Sequence, residues 1–206
     1  METYYTMRNP ISCHLLSILV AFLSLSNLHA TLAATTSASS TKNYTSYITS
    51  ACSSTTYPKV CYNSLIPYAS KIKANPQRLC NTALSVALKA ASNALSTISA
   101  VSKQKGLTQS EAGIVKDCIE NIGDSIDELK QSLNEMVNLG KSDVKLQIDD
   151  IKTWVSAAIT DEGTCTDGFA ERKVSAMVES KIRNSILNVA MPTSNALSII
   201  NTLYSY

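Results

Sequence analysis

Cysteine is the residue type whose spacing in this sequence predicts a definite chemistry, the formation of disulfide bonds. Cys52 and Cys61 are close in sequence and flank a turn, so we expect them to be partners. Cys118 lies inside a helical pattern, and Cys165 is expected just beyond the end of the following helix. If these elements pack together, a Cys118–Cys165 disulfide would join them. Cys80 is then left over, and we interpret it as a buried small hydrophobic residue rather than a reactive or intermolecular thiol.

The segment DCIENIGDSIDEL, residues 117–129, predicts a helix with its acidic residues on the side opposite to its apolar residues. Ile122, Ile126 and Leu129 share the apolar side with Ile119. Two interpretations of the polar side are open, because it is either an ordinary solvated face or a surface that binds a partner. Its residues are Asp117, Glu120, Asn121, Asp124, Asp127 and Glu128.

Catalytic chemistry is poorly supported, because the only histidines are His14 and His29 and both lie in an N-terminal segment that we expect to be removed. The same absence excludes imidazole zinc ligands, and the thiols lack close CxxC spacing. The glycines are too scattered for a nucleotide-binding loop. Carboxylates for sugar hydrolysis are available, yet a narrow helical bundle offers little cleft for a sugar. We therefore predict no enzymatic activity, no cofactor and no metal site.

Residues 1–33 have the pattern of a secretory signal peptide. Arg8 precedes a short apolar centre, and small residues end the segment near Ala33. The apolar run is too short, and too often broken by serine, for a transmembrane helix. Residues 34–43 are rich in Ser and Thr and predict a flexible lead-in, in which Asn43 is a glycosylation acceptor. We expect a secreted protein with no membrane association after signal cleavage.

Four amphipathic helical patterns follow one another between residues 76 and 206. The first opens at Pro76, and the second opens at Thr108 with a capping box and should end near residue 140. The third extends from about residue 142 to 160, and the fourth begins after residue 168, with a kink or interruption expected at Pro192. Residues 44–72 predict a helical hairpin. The expected fold is all-α, an up-down-up-down four-helix bundle with an N-terminal helical hairpin, stabilised by disulfides.

Charge is distributed unevenly along the chain. No Asp or Glu occurs from Thr3 to Ser110, whereas acidic residues are concentrated from Glu111 onward. The basic half either attracts an anionic polymer or surface or is an ordinary solvated face. Interleaved aromatic residues are absent, so we expect no nucleic-acid partner. The basic residues are Lys42, Lys59, Lys71, Lys73, Arg78, Lys89, Lys103 and Lys105.

Four segments together resemble the plant invertase and pectin methylesterase inhibitor family. They are ACSSTTYPKVC, DCIENIGDSIDEL, WVSAAITDEGTCTDGF and TSNALSIIN, and the resemblance extends from Tyr44 to Leu203. It implies a secreted, apoplastic four-helix bundle with a hairpin and disulfides paired first to second and third to fourth, which agrees with the pairs above. It also implies an inhibitor domain, residues 44–206, that docks on a cell-wall enzyme. Cys80 is additional to the usual four cysteines.

The resemblance also indicates a partner and the residues that bind it. Invertase inhibitors of the family share a Pro-Lys-Phe segment, which is absent here, so pectin methylesterase is favoured over cell-wall or vacuolar invertase. Methylesterase inhibitors similar to this chain present acids that match Glu120, Asp124 and Asp127, and Thr164 matches another contact position. The mechanism implied is a bundle laid across the enzyme's substrate groove. A third hypothesis is a non-inhibitory secreted bundle that binds wall components or a ligand, which would need an internal cavity.

Overall fold

The computed structural model describes residues 42–169 and 172–205. The predicted signal peptide and residues 34–41 of the predicted lead-in lie outside these ranges. Internal contacts divide the chain into residues 1–43 and 44–206. Of the first unit only Lys42 and Asn43 are described, and both are exposed and helical.

The helical hairpin that the sequence predicts comes before the bundle in the chain. Helix α1 covers residues 42–53, α2 is Pro58–Leu65, a 3₁₀ turn is Ile66–Tyr68, and α3 is Ala69–Ile72. A disulfide between Cys52 and Cys61 joins α1 to α2, as the spacing predicts.

Asn195 holds the hairpin against the rest of the molecule. Its Oδ1 accepts a hydrogen bond from the Tyr57 backbone N–H at 2.9 Å, and its Nδ2 donates to the Tyr57 carbonyl oxygen at 3.0 Å. Asn195 is buried, so both of these bonds satisfy polar atoms that are removed from water. The hairpin therefore docks through a specific contact as well as through its apolar side chains.

Four long helices form the bundle: α4 Pro76–Ser102, α5 Gln109–Val137, α6 Val144–Asp167 and α7 Ala176–Leu203. Each helix packs against the next, and α7 packs back against α4, so the four close a ring around one apolar core. Short connections make successive helices antiparallel. The predicted up-down-up-down bundle is confirmed, and no strand occurs in the described ranges.

Side-chain caps fix where α4 and α5 begin. Asn75 accepts a hydrogen bond from the Arg78 N–H, and Thr108 and Glu111 form the predicted capping box. Glu111 also accepts the N–H of Ser175 at 2.9 Å, which links the start of α5 to the start of α7. The donors of Ser175 and Thr108 lower the pKa of Glu111 to about 2.

Two helix boundaries differ from the sequence prediction. Helix α6 continues to Asp167, so Cys165 lies within the helix and not beyond it. Ala158, Glu162 and Cys165 continue the buried face of α6, and this packing outweighs the low helix propensity of Gly163. Helix α7 begins only at Ala176, later than predicted.

Pro192 does not interrupt α7, although it cannot donate a backbone hydrogen bond. Pro192 is buried, and the buried neighbours Thr193 and Ala196 extend the core-facing side of α7 past it. Tertiary packing holds this part of the helix together.

Helix α4 is the one helix in residues 42–169 and 172–205 that is long and apolar enough by composition to cross a membrane. A core helix of a soluble bundle has the same composition. In this structure α4 packs against α5 and α7, and its buried residues include Leu79, Leu84 and Ile98.

Cys80 is a free thiol on α4 with no exposed surface. Burial raises its pKa to about 12, so the reactive thiolate is scarce at neutral pH. We expect a small alkylating reagent at pH 8 to leave the folded protein unmodified and to label one thiol after denaturation without reductant. Intact-mass measurement detects the label, and modification of the folded protein at the denatured rate would contradict the buried assignment.

Candidate functional site

A surface groove runs along the seam between α5 and α6. The second disulfide, Cys118–Cys165, crosses this seam between two helix interiors, and both of its cysteines are buried. Because each cysteine lies within a helix, the bond fixes the two helices against each other beneath the groove. The volume of this α5–α6 groove is about 440 Å³, and it is lined by Ile114, Asp117, Glu120, Asn121, Thr164, Cys165, Asp167 and Gly168.

The structure brings together four of the residues predicted to bind a partner. Asp117, Glu120 and Asn121 line the groove from α5, and Thr164 lines it from α6. Asp124, Asp127 and Glu128 lie beyond it, along the following turns of α5. Asp167 and Gly168, which also line the groove, were missed, although they follow Thr164 at the three-and-four spacing of one helix face.

Two of the acids on α5 already have cationic partners. Asp117 Oδ2 lies 3.2 Å from Arg172 Nη1, and Asp127 Oδ1 lies 2.8 Å from Lys130 Nζ. Both pairs are exposed, so each contributes little to stability, but each neutralises a carboxylate on this surface.

Glu120 and Asp124 differ from these acids. Both side chains are exposed, and neither forms an ion pair within the described ranges. They are therefore the carboxylates of the predicted set that are best placed to meet donors on another molecule. The sequence alone did not separate them from Asp117, because the cation that pairs with Asp117 is 55 residues away in the chain.

Glu128 is less exposed than the other acids of this face. It is half-buried, and its Oε2 is buried without a hydrogen-bond partner in the described part of the chain. Burial first, and then the neighbouring carboxylates of Asp161 and Asp124, raise the pKa of Glu128 to about 7. Glu128 and Asp161 are thus neighbouring carboxyl groups across the seam, and the charged form of Glu128 is disfavoured there.

A second acid, Glu162, lies fully inside the bundle below this pair. Its Oε1 accepts hydrogen bonds from Ser125 Oγ at 3.1 Å and Thr193 Oγ1 at 2.9 Å, which connects α6 to α5 and α7. Its Oε2 has no partner among the described residues. Burial raises the pKa of Glu162 to about 7 despite the two hydroxyl donors.

The side chains at this surface suit recognition of a binding partner. The groove and its margins carry carboxylates, an amide and a hydroxyl on rigid helices, which suits hydrogen bonding to a partner. No group of three His, Cys, Asp or Glu side chains within residues 42–169 and 172–205 is arranged to hold a metal ion.

The other predicted sites are on α1 and α2. Asn43 is exposed on α1, and the Cys52–Cys61 disulfide is at the turn of the hairpin. A second surface groove, of about 310 Å³, lies between α4 and α7 and is lined by Ala90, Asn93, Ala94, Thr97, Ser185 and Asn188.

Comparison with known proteins agrees with this architecture. The family model described as plant invertase/pectin methylesterase inhibitor matches residues 46–199. Pectinesterase inhibitor 4 of Arabidopsis thaliana is 41% identical over 191 residues, which cover 91% of this chain and 95% of that protein. Pectinesterase inhibitor 10 of the same plant is 42% identical over 158 residues, which cover 75% of this chain but only 50% of that protein.

A crystal structure of a mutant pectin methylesterase inhibitor from Arabidopsis has the same fold, with a TM-score of 0.57 and 22% identity. The match covers 73% of this chain and 92% of the inhibitor. The family match, the relatives and the shared all-helical fold lead to one conclusion: this chain belongs to the plant invertase/pectin methylesterase inhibitor family.

Proposed function

We propose that this protein inhibits pectin methylesterase by binding it with the α5–α6 groove and the adjacent acids of α5. The observation that carries the proposal is the pair of exposed carboxylates without ion pairs, Glu120 and Asp124, beside a groove on two disulfide-linked helices. The relatives named pectinesterase inhibitors support the choice of partner.

The inhibitor needs no chemistry of its own in this mechanism. The disulfide between α5 and α6 holds the binding side chains in place before the partner arrives, which reduces the entropy lost on association. A rigid bundle seated across the enzyme's substrate groove excludes the pectin chain. Inhibition then follows from occupancy, at a ratio of one inhibitor to one enzyme.

Invertase is the alternative partner on the same scaffold. The Pro-Lys-Phe segment that resemblance associates with invertase inhibitors is absent, and Pro58-Lys59-Val60 lies at the start of α2, in the hairpin. A non-inhibitory ligand-binding bundle has weaker support, because both of the grooves described above lie at the surface between adjacent helices.

The test is a titration of the protein against pectin methylesterase and against cell-wall and vacuolar invertase between pH 5 and 7. We expect methylesterase activity to fall to a plateau near one equivalent and invertase activity to remain unchanged. Inhibition of invertase alone would assign the other partner, and inhibition of neither would favour the ligand-binding alternative.

The protein for this titration should be collected from the medium of a secreting plant host, because the predicted signal peptide directs it to the apoplast. N-terminal sequencing is expected to give a sequence that begins near Ala34. Enzymatic deglycosylation is expected to reduce the mass by removing a glycan from Asn43. Material that retains Met1 would contradict the secretion proposal.

A further inference from the structure

The outward face of α4 carries a line of cationic and hydroxyl side chains that the proposed inhibition does not use. Successive helix residues are about 100° apart, so the line covers about 60° of the helix circumference. From the first to the last residue of the line the helix rises about 37 Å. All of its members are exposed. We call these residues the α4 stripe: Arg78, Ser85, Lys89, Ser92, Ser96 and Lys103.

The cations of the α4 stripe are not neutralised by the protein. None of the three forms an ion pair with another described residue. The hairpin and α4 contain no acidic residue, and the hairpin adds the exposed Lys59, Lys71 and Lys73. The hairpin and α4 therefore contribute only positive side-chain charge to the surface.

The acids of the two helices that flank α4 do not cancel this potential. On α5, Glu111 is bound to Thr108 and Ser175, and Glu135 accepts a hydrogen bond from Gln147 of α6. Asp117 and Glu120 line the α5–α6 groove, and Asp127 is paired with Lys130. Glu128 lies near Asp124 and near Asp161 of α6. On α7, Glu179 is paired with Arg183 at 2.7 Å. The α4 stripe is thus open to an external anion.

The serines of the stripe indicate which kind of anion. Ser85, Ser92 and Ser96 each donate their hydroxyl hydrogen to a backbone carbonyl four residues earlier, at 2.7 to 2.9 Å. Their exposed oxygen lone pairs remain free to accept hydrogen bonds. A partner that fits the stripe carries negative charges for the cations and hydroxyl donors for these oxygens, repeated along an extended chain.

We propose that the α4 stripe binds an acidic polysaccharide, a chain of uronic acid residues whose carboxylates are free. Such a chain supplies both groups in every residue. Nucleic acid is the less suitable polyanion, because the stripe has no aromatic side chain on which bases could stack.

The two surfaces can be occupied together. Helix α4 packs against α5 and α7, whereas the α5–α6 groove opens on the side of the bundle that α6 helps to form. The biological consequence rests on the proposed function: removal of methyl esters creates free carboxylates, so the inhibitor would accumulate where the enzyme has already acted.

The test measures binding of the full secreted protein to immobilised polygalacturonate, to highly methyl-esterified pectin and to single-stranded DNA as salt is increased. We expect binding to polygalacturonate at low salt, weakening as salt screens the charges, and little binding to the esterified polymer. Equal binding to the esterified polymer would overturn the role of carboxylates, and DNA binding as tight as polygalacturonate binding would overturn the assignment to a polysaccharide.

Two triple variants localise the site. Replacing Arg78, Lys89 and Lys103 by Gln should weaken polygalacturonate binding at least about tenfold. The matched control replaces the exposed Lys116, Lys145 and Lys181 by Gln and so removes the same charge outside the stripe. Its affinity for polygalacturonate should stay within about twofold of that of the parent. An equal loss of polygalacturonate binding in the two variants would show that the loss comes from net charge, and it would contradict binding at the α4 stripe.

Methylesterase inhibition by the same variants separates this proposal from the proposed function. The stripe variant is expected to inhibit as the parent does in a dilute assay, because its substitutions lie outside the α5–α6 groove. Loss of polygalacturonate binding with inhibition retained supports two separate surfaces. A parent protein that binds the polymer but never inhibits would contradict the proposed function alone.

Discussion

Inhibition of pectin methylesterase is expected to weaken at least about tenfold when Glu120 and Asp124 are both replaced by lysine, the factor that 1.4 kcal/mol represents. Both side chains are exposed and unpaired within the described ranges, so the folded protein loses no ion pair of its own. In the complex their carboxylates would be partly desolvated against donors, where loss of one partner costs about 2 kcal/mol or more. Titration curves of activity at fixed pH and salt measure the change.

Stability serves as the first control for this variant. Exposed substitutions of this kind change the free energy of unfolding by less than about 0.5 kcal/mol, so the melting temperature should stay nearly constant. The charge-matched control replaces Asp149 and Asp150 by lysine, about 20 Å along α6 from Thr164. It should inhibit like the parent.

The carboxylates that are already paired provide a graded comparison. Replacing Asp117 or Asp127 by Asn removes a group that Arg172 or Lys130 neutralises in the free protein, so a smaller loss of inhibition is expected. If the Glu120/Asp124 variant inhibits as well as the parent does, the acidic face of α5 is only solvated and the interface lies elsewhere on the bundle.

Stability is expected to fall by about 3 kcal/mol between pH 5 and pH 8, because the buried Glu162 must ionise. Its pKa is raised from 4.5 to about 7 in the folded state. A raised folded pKa means that the native state binds the proton more tightly than the unfolded chain. The stabilisation is therefore complete below pH 4.5 and is lost as the pH rises through 7.

Urea unfolding at several pH values, compared with Glu162→Gln, checks this expectation. Glutamine keeps an oxygen that can accept hydrogen bonds from Ser125 and Thr193 but cannot ionise. Between pH 5 and pH 8 the free energy of unfolding of the variant should therefore fall by less than about half as much as that of the parent. The remainder is expected from Glu128, whose pKa is raised in the same direction. If the stability of the variant falls with pH as steeply as that of the parent, ionisation of Glu162 is not the cause of the pH dependence.

Glu111 provides a control, because its pKa is shifted in the opposite direction to that of Glu162. Its pKa is lowered to about 2, so its contribution is present above pH 4.5 and is lost only as the pH falls toward 2. This window does not overlap with that of Glu162. Glu111→Gln should therefore leave the change between pH 5 and pH 8 unaltered while altering unfolding in acid.

Local sequence determined the helices and much of the surface. Apolar spacing identified the bundle, the Thr108–Glu111 capping box marked the start of α5, and the closeness of Cys52 and Cys61 predicted their bond. The position of Glu120 and Asp124 on the polar side of α5 also followed from the helix period. Each of these features depends on interactions among residues that are near one another in the chain.

Tertiary structure decided which acids are solvated, paired or buried. Asp117 and Glu120 look equivalent in sequence, yet Arg172 from the connection before α7 pairs with Asp117 alone. The pKa values of Glu128 and Glu162 are raised chiefly because neighbouring helices remove both carboxyl groups from water. Desolvation and charge pairing depend on distances between segments far apart in the chain, and the helix period carries no information about those distances.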